Sequence, residues 1–280
     1  MRGASANKEE ELIRDYYDRY GWTTANGISG EDALFRDFSP PYYPYQDAVN
    51  ARTLTYLAGL GHKLLIAGGG DLPETHLCLA RRFSQTTCLD ISKVAIEIAR
   101  SKLGRQAEFI LGSLLKIPRP DNYFDAVYCA HVIYHIGEDQ QERAVRELIR
   151  VTRPGGRIAV IYANPHSLPN HLVKVKGRLP LLRNMRRKRI RRRPELGHGP
   201  PYYFAHPLTW WARFNDECEV EVRPWVVMSN TEEESILLRD GIAALAYRLC
   251  AWLESQYPHR AAQWWSYPLF LLTKRPGGKE

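Results

Sequence analysis

Long apolar runs and paired cysteines are both missing from this 280-residue sequence. No stretch is apolar over the roughly 20 residues that cross a bilayer, so a membrane-spanning segment is not expected. The five cysteines are odd in number and include no close pair, which argues against a disulfide framework and a zinc site. The segment MRGASANKEEELIRDYY has no apolar signal core. We therefore expect a cytoplasmic protein with reduced thiols and no metal site.

The charge is unevenly distributed. The formal net charge is +8, and RNMRRKRIRRR alone holds eight Lys and Arg residues between Arg183 and Arg193. The rest of the chain is therefore near neutral, and the basic character is local. This Arg183–Arg193 segment could bind RNA phosphates, an anionic lipid surface, or a phosphorylated or carboxylated substrate, or it could be a solvated loop. The apolar residues before it would suit an interfacial helix against a membrane: Leu168, Leu172, Val173, Val175, Leu179, Leu181 and Leu182.

A glycine turn follows a short apolar segment in KLLIAGGGDLPETHLCLARRFSQTTCLDIS, which spans Lys63–Ser92. Glycine at this place lets the backbone turn sharply and lets a ligand approach the main chain without meeting a Cβ atom. Asp90 ends the next predicted strand at a spacing that suits hydrogen bonds to two ribose hydroxyls. The pattern predicts a nucleoside-containing cofactor at the carboxyl edge of a parallel sheet. Asp90 could instead be only a helix N-cap.

Strand and helix patterns alternate between Lys63 and Pro165, which predicts a parallel sheet with right-handed crossovers. The predicted strands are Lys63–Ala67, Thr86–Asp90, Ala107–Leu111, Phe124–Ala130 and Arg157–Ala163. Ser92 is predicted to cap the helix after the second strand. A later helix, in EDQQERAVRELIRVTRPGG, is predicted to stop at Pro154-Gly155-Gly156.

The flanking segments complete the predicted architecture. Apolar residues recur at helical spacing in EEELIRDYYDRYGW, and a helix over Gln46–Leu60 is predicted to lead into the first strand. Towards the other end, the strand EVEVRPWVVM is followed by a long amphipathic helix around Glu232–Tyr257. The apolar run YPLFLLTKRP then predicts a last strand that pairs antiparallel at the end of the sheet.

Three motifs together resemble the class I S-adenosylmethionine-dependent methyltransferases: LLIAGGG with Asp90 downstream, FDAVYCAHVIYHI, and ELIRVTRPGGRIAVIYANP. The resemblance covers about Lys63 to Pro165. It implies an α/β, Rossmann-like fold with a seven-stranded, mostly parallel sheet and an antiparallel terminal strand. The competing cofactor is a dinucleotide, but its G-x-G-x-x-G fingerprint would have Pro73 at the third glycine position.

The resemblance also divides the chain and implies a cofactor. Residues 1–61 would form an N-terminal helical cap, 62–165 the cofactor-binding core, 166–216 a basic and aromatic insertion acting as a lid, and 217–280 the completion of the sheet. The implied cofactor is S-adenosylmethionine. Its methionine portion would lie on the backbone of the glycine turn, its ribose hydroxyls on Asp90, and its adenine beside Ile91. The implied cofactor-binding residues are Ala67, Gly68, Gly69, Gly70, Asp90, Ile91, Ser113, Leu114, Cys129 and Ala130.

Three positions depart from the family pattern. Ile66 stands where the family often has an acid that meets the methionine amino group. Leu72 stands where a third glycine is usual, and Gly112-Ser113 replaces a common Gly-Asp pair. Adenine would therefore face the hydroxyl of Ser113 rather than a carboxylate.

Candidate acceptor residues come from three places in the chain. His131 and His135 could be general bases, since histidine titrates near neutral pH, although packing and loop hydrogen bonds explain them equally well. Tyr16, Tyr17 and Tyr20 could close over a substrate or form one buried helical face. His206 and Trp210 could line an acceptor pocket or anchor the insertion.

The leading hypothesis is methyl transfer to an O or N atom of a small molecule, such as a secondary metabolite or a sugar-like acceptor. A first alternative is methylation of RNA or of a membrane-associated lipid or quinone, guided by the Arg183–Arg193 segment. No RNA-binding module is visible beside that segment, and aromatic residues flank it rather than interleave with it. A second alternative is a binding or scaffold protein that kept the fold and lost turnover.

Overall fold

One large mixed sheet organises the molecule. The computed structural model describes residues 2–22, 24–25, 28–31, 37–179, 202–237 and 240–276. Within these ranges seven strands pair into the main sheet, and two short strands pair separately. In chain order the strands are β1 Thr24–Ala25, β2 Ile28–Ser29, β3 Lys63–Ala67, β4 Gln85–Asp90, β5 Ala107–Leu111, β6 Phe124–Ala130, β7 Thr152–Ile161, β8 Cys218–Val226 and β9 Tyr267–Lys274.

The main sheet has the order β5-β4-β3-β6-β7-β9-β8. Strands β3 to β7 are parallel, and β9 pairs antiparallel with both β7 and β8. This confirms the predicted Rossmann-like, mostly parallel sheet with an antiparallel strand near its end. The chain winds from β3 towards β5 and then crosses back to β6, so a crevice opens between the ends of β3 and β6.

Helices cover the sheet because both of its faces are apolar. Along β3, Leu64 and Ile66 belong to one buried cluster, whereas Leu65 and Ala67 belong to another. Such two-sided burial is typical of parallel sheets. The helices are α1 Arg2–Tyr16, α2 Tyr42–Tyr56, α3 Glu74–Ala80, α4 Lys93–Leu103, α5 Gln141–Val151, α6 Leu168–Arg178, α7 Asn230–Ile236, α8 Asp240–Gln256 and α9 Pro258–Trp264.

A buried carboxylate joins α2 to the last helices. The side chain of Glu254, on α8, accepts hydrogen bonds from the Tyr45 hydroxyl at 2.5 Å and from the Trp265 indole at 2.7 Å. Arg52 of α2 donates to its other oxygen at 2.8 Å. Because a buried charge is stable only when it is paired and hydrogen-bonded, this contact fixes α2 against α8.

The long helix predicted around Glu232–Tyr257 is wrong, since the structure has two helices there. At Leu237 the backbone is extended (φ −98°, ψ 92°), which ends α7. The side chain of Glu233 is fully buried and accepts a 2.9 Å hydrogen bond from the Tyr247 hydroxyl of α8. The two helices therefore pack on each other, which one continuous helix could not do.

The predicted stop at Pro154-Gly155-Gly156 also needs correction. Helix α5 ends earlier, at Val151, and the three residues lie inside β7. Here the pairing of β6 with β7 is irregular. Phe124 and Ala126 are two positions apart on β6, but their partners on β7, Thr152 and Arg157, are five positions apart. A Cβ atom on Gly156 would lie 2.8 Å from the Asp125 carbonyl oxygen, so glycine is required in this bulge.

No helix in the described ranges is long and apolar enough to cross a membrane. The Arg183–Arg193 segment lies outside the described residues. The predicted lid and the other predicted domain boundaries stay predictions.

Leu72, at the position of the family's usual third glycine, keeps a glycine-like backbone. Its φ is +50°, in the left-handed region that costs about 1–2 kcal/mol for a residue with a Cβ atom. The side chain is completely buried in the core. The turn is therefore preserved, and hydrophobic packing offsets the backbone strain.

Replacing Leu72 by alanine and by glycine should separate packing from strain. Both variants lose the buried side chain, at a cost of about 2–5 kcal/mol. Glycine also removes the left-handed strain, so Leu72→Gly should unfold at a higher urea concentration than Leu72→Ala. Leu79 is equally buried but lies in α3, so there the alanine variant should be the more stable of the pair. The same order at both positions would contradict the strain at Leu72.

Candidate functional site

A cavity of about 820 Å³ lies at the carboxyl ends of β3, β4 and β6. Its wall combines the glycine turn after β3, the acid that ends β4, residues that follow β5 and β6, and the segments around α1, α2 and α7. This volume lies within the range of ordinary ligand pockets and can hold a nucleoside cofactor together with a small second ligand.

The glycine turn is tightly packed against the segment after β6. Gly68 and Gly70 have φ values of +69° and +55°, which favour glycine. A Cβ atom on Gly68 would lie 2.2 Å from Cγ2 of Val132. Substitution at Gly68 would therefore force the end of β3 away from the end of β6 and change the cavity between them.

Asp90 is buried beside this turn. Its Oδ2 atom accepts a 2.9 Å hydrogen bond from the Gly70 amide, and its Oδ1 atom accepts a 2.8 Å bond from the Ser92 amide. Burial raises the pKa of Asp90 to about 6, although these amide bonds oppose the shift. Asp90 lies in the cavity wall, and a carboxylate can accept hydrogen bonds from two neighbouring hydroxyls of a ligand.

Ser92, rather than Asp90, caps α4. The Ser92 hydroxyl oxygen accepts a 3.1 Å hydrogen bond from the Ala95 amide, as the sequence predicted. The interpretation of Asp90 as a plain helix cap is therefore wrong. Its role toward ribose remains a prediction that its position supports.

An aromatic pair covers the glycine turn from the N-terminal side. The rings of Tyr17 and Trp22 stack with centroids 5.3 Å apart. A Cβ atom on Gly70 would lie 2.6 Å from the Trp22 ring, so the indole rests directly on the turn. Asp18 also accepts a 2.6 Å hydrogen bond from the Ser92 hydroxyl. These contacts hold the segment after α1 over the cavity.

A carboxylate lies at the predicted adenine end after all, but it comes from α1. The hydroxyl of Ser113 donates a hydrogen bond to Glu10, and both residues line the cavity. The two are 103 positions apart in the sequence. No local pattern marks Glu10, because it lies in an ordinary acidic stretch of a helix.

His131 follows β6 in a strained conformation, with φ +62°. Its Nδ1 atom is 2.7 Å from the Tyr134 hydroxyl oxygen. Its ring contacts the edges of Trp225 and Tyr267, with centroids 5.0 and 5.2 Å away. A left-handed backbone outside glycine is often found at functional sites. The ring is thus firmly held in the wall of the cavity.

His135 is held as a neutral imidazole. Its Nδ1 atom lies 2.8 Å from the Tyr202 carbonyl oxygen, which can only accept, so Nδ1 carries the proton. Burial lowers the pKa of His135 to about 4. At neutral pH its Nε2 atom is therefore an unprotonated acceptor of low basicity.

The cavity brings together most of the predicted site residues. Those in its wall are Tyr17, Gly68, Gly69, Gly70, Asp90, Ile91, Ser113, Leu114, Ala130, His131 and His135. The remaining six predicted residues, Tyr16, Tyr20, Ala67, Cys129, His206 and Trp210, do not line this cavity. Tyr16 is buried against Tyr17 and Tyr20, and Cys129 is fully buried in the core. His206 and Trp210 stack on each other and pack beside Tyr162.

Ala67 lies just inside the end of β3, fully buried below the turn. Sequence reasoning missed several aromatic residues in the cavity wall, among them His76, Tyr128, Tyr134, Tyr203, Trp225 and Tyr267. These residues come from strands, loops and a helix in different parts of the chain. Their patterns are those of ordinary core residues, so the sequence carries no separate signal for them.

Comparison with known families and proteins agrees with this geometry. A family described as a methyltransferase domain matches residues 67–160. The ubiquinone/menaquinone biosynthesis C-methyltransferase UbiE of Pseudomonas fluorescens is 33% identical over 108 residues, which cover 36% of this chain and 41% of that protein. Its namesake from Cupriavidus taiwanensis is 37% identical over 106 residues, covering 36% and 43%. The match thus spans about two fifths of these curated relatives.

Solved structures share the fold. Phosphoethanolamine N-methyltransferase 1 of Haemonchus contortus, in complex with phosphoethanolamine and S-adenosylhomocysteine, superposes with a TM-score of 0.62 at 11% identity. The alignment covers 100% of this chain and 52% of that one. A DhpI–S-adenosylhomocysteine complex gives a TM-score of 0.57 at 16% identity, over 96% and 98% of the two chains. The matched family and these solved structures are methyltransferases, and both structures contain S-adenosylhomocysteine. This agreement confirms the expected cofactor, S-adenosylmethionine.

Asp90 should make cofactor binding depend on pH. Ribose hydroxyls donate to the carboxylate, so affinity for S-adenosylhomocysteine should be full above about pH 7 and fall towards tenfold per pH unit below about pH 6. Asp90→Asn should weaken binding at pH 8 at least about tenfold and remove the pH dependence. Calorimetry from about pH 5 to about pH 8 measures both. Asp71→Asn, on the same turn but outside the cavity wall, is the control. Unchanged affinity in Asp90→Asn would refute the ribose role.

Glu10 should recognise the adenine amine. A carboxylate accepts a hydrogen bond from this amine, so Glu10→Gln should weaken S-adenosylhomocysteine binding about tenfold. An analogue with hypoxanthine in place of adenine has no amine, and its affinity should change little in the variant. Glu11→Gln removes a neighbouring exposed carboxylate and is the matched control. Equal losses for both ligands would show that Glu10 only supports the helix.

Proposed function

We propose that the protein methylates an O or N atom of a small molecule, with S-adenosylmethionine as the methyl donor. The match of residues 67–160 to a family described as a methyltransferase domain supports this proposal. The observation that carries the proposal is the single cavity that joins the glycine turn and Asp90 to an aromatic acceptor side. A small molecule can enter such a space beside the cofactor, whereas a folded macromolecule would have to insert one extended group.

The residues of the cavity have a mainly positioning role in this proposal. When bound, the cofactor supplies an electrophilic methyl group on a cationic sulfur. The turn at Gly68–Gly70 and the carboxylate of Asp90 would fix the cofactor at one end, and the aromatic residues would fix the acceptor at the other. Alignment of two reactants in a closed site lowers the barrier by replacing a bimolecular encounter with a nearly unimolecular step.

Two histidines could remove a proton from the acceptor. The Nε2 atom of His135 is unprotonated at neutral pH, but its low pKa makes it a weak base. His131 is fixed by Tyr134, whose burial raises the pKa of the phenol well above its usual value and keeps it protonated. The cavity therefore suits acceptors that need little help in losing a proton, such as amines or acidic hydroxyls.

A membrane-associated lipid or quinone is the second candidate acceptor. The aromatic side chains Tyr128, Trp225 and Tyr267 in the cavity wall would pack against a flat apolar ring. The curated relatives named above are quinone C-methyltransferases, which supports the same substrate class. Transfer to a ring carbon would replace transfer to O or N in that case.

Transfer of label from methyl-labelled S-adenosylmethionine tests the proposal. The acceptor panel should contain hydroxyl-bearing and amine-bearing aromatic molecules, a sugar, a quinol and a transfer RNA. Label should appear in a small molecule, and Asp90→Asn should reduce the rate at a subsaturating cofactor concentration at least about tenfold.

Four outcomes would contradict it. Label in the quinol alone would select the second candidate, and label in RNA alone would reject a small acceptor. Calorimetric binding of the cofactor with no transfer across the panel would favour a scaffold protein. Failure of the wild-type chain to bind the cofactor at all would reject the enzyme.

A further inference from the structure

Helix α6 presents an apolar stripe away from the protein. Leu168, Leu172, Val175 and, just past its end, Leu179 follow one another at helical spacing, and their exposed fractions range from 46% to 54%. The adjoining face is attached to the protein, because Pro169 is buried and Lys176 donates a hydrogen bond to the Ser235 carbonyl of α7. The stripe is therefore a surface of a helix with a fixed orientation.

Positive charge surrounds this stripe. Lys174 and Arg178 are exposed and lie beside it on the helix. Leu168 to Pro194 contains no acidic residue, and the Arg183–Arg193 segment follows α6 closely in the sequence. An apolar stripe flanked by Lys and Arg is the pattern of helices that lie in the interface of an anionic bilayer.

The stripe fits other partners less well. An 11-residue helix is about 16 Å long, so its face buries far less than the roughly 800 Å² per partner of a stable protein interface. Single-stranded RNA needs aromatic side chains for base stacking, and α6 has none. Phosphate contacts alone would leave the leucines without a role.

The position of α6 connects this surface to the cavity. It follows β7, whose carboxyl end lies at the same edge of the sheet as the ends of β3 and β6. It packs on α7, and the residues that begin α7, Ser229 to Thr231, line the cavity. A surface that contacts α6 would therefore lie close to the cavity wall.

We propose that α6 is an interfacial helix that docks the protein on an anionic lipid bilayer, with the stripe in the acyl–headgroup boundary and the cations at the headgroups. Each part has its own physical contribution. Burial of the stripe removes apolar area from water, and Lys174 and Arg178 are attracted to anionic lipids. The proposal does not depend on methyl transfer, because docking can be measured without cofactor or acceptor.

Vesicle sedimentation of the full chain tests the docking helix. Vesicles of phosphatidylcholine with one third phosphatidylglycerol should bind the wild type, and pure phosphatidylcholine vesicles should bind it at least about tenfold more weakly. Leu172→Gln with Val175→Gln keeps every charge and alters exposed residues, so the fold should be preserved. This double variant should lose at least about tenfold in binding to the anionic vesicles.

Helix α8 supplies a matched control. Leu245 and Leu249 are also exposed and apolar, at 70% and 54%, but lie on a helix with Arg248 as its one basic residue. Leu245→Gln with Leu249→Gln should bind vesicles like the wild type. Loss of binding in this control with retention in the α6 variant would overturn the assignment of α6.

Other results would also overturn it. If the α6 variant binds like the wild type, adsorption comes from the basic segment alone. If the wild type ignores vesicles but forms a dimer that the α6 variant cannot form, the stripe is a contact between copies. If the wild type ignores vesicles but binds single-stranded RNA, the surface recognises nucleic acid.

Discussion

The close approach of two loops, after β3 and after β6, is the constraint on which the site depends. Gly68 and Val132 leave no room for a side chain between them. The chain reverses its winding direction at this place, so the crevice is a product of topology. Sheet register fixes the strand ends, and the glycine turn then fixes how closely a ligand can approach the backbone. At Leu72 the turn keeps a left-handed conformation that suits glycine, and the side chain packs in the core.

The sequence predicted four of the five core strands to within one residue, because short apolar runs bounded by turn residues are typical of buried strands. The fifth, β7, begins five residues before the predicted start. It failed where tertiary contacts decide a boundary. Helix α7 ends at Leu237 because Glu233 reaches α8, and nothing in the local pattern shows this long-range contact. The Pro-Gly-Gly sequence looked like a helix end but forms a bulge in β7, since glycine serves both purposes.

The residues of the candidate site also divide into those that the sequence predicts and those that it does not. Residues at strand ends, such as Asp90 and Ser113, were predictable because the topology of a parallel sheet places all its carboxyl ends together. Residues that reach the cavity from outside the sheet were not predictable, as Glu10 and Trp22 illustrate. The side of the sheet to which each strand residue points was also hard to predict. Cys129 and Ala130 are neighbours, yet alternation of side chains buries the first and places the second in the cavity wall.

The carboxylate of Glu254 also shows how the N-terminal region is joined to the rest of the molecule. Its hydrogen-bond donors Tyr45 and Arg52 lie before the sheet in the sequence, and the acid lies on α8, close to the end of the chain. Without the N-terminal region, Glu254 would lose two of the three donors that the described residues provide, keeping the Trp265 indole. The N-terminal region therefore holds α8 in place as well as forming a wall of the cavity.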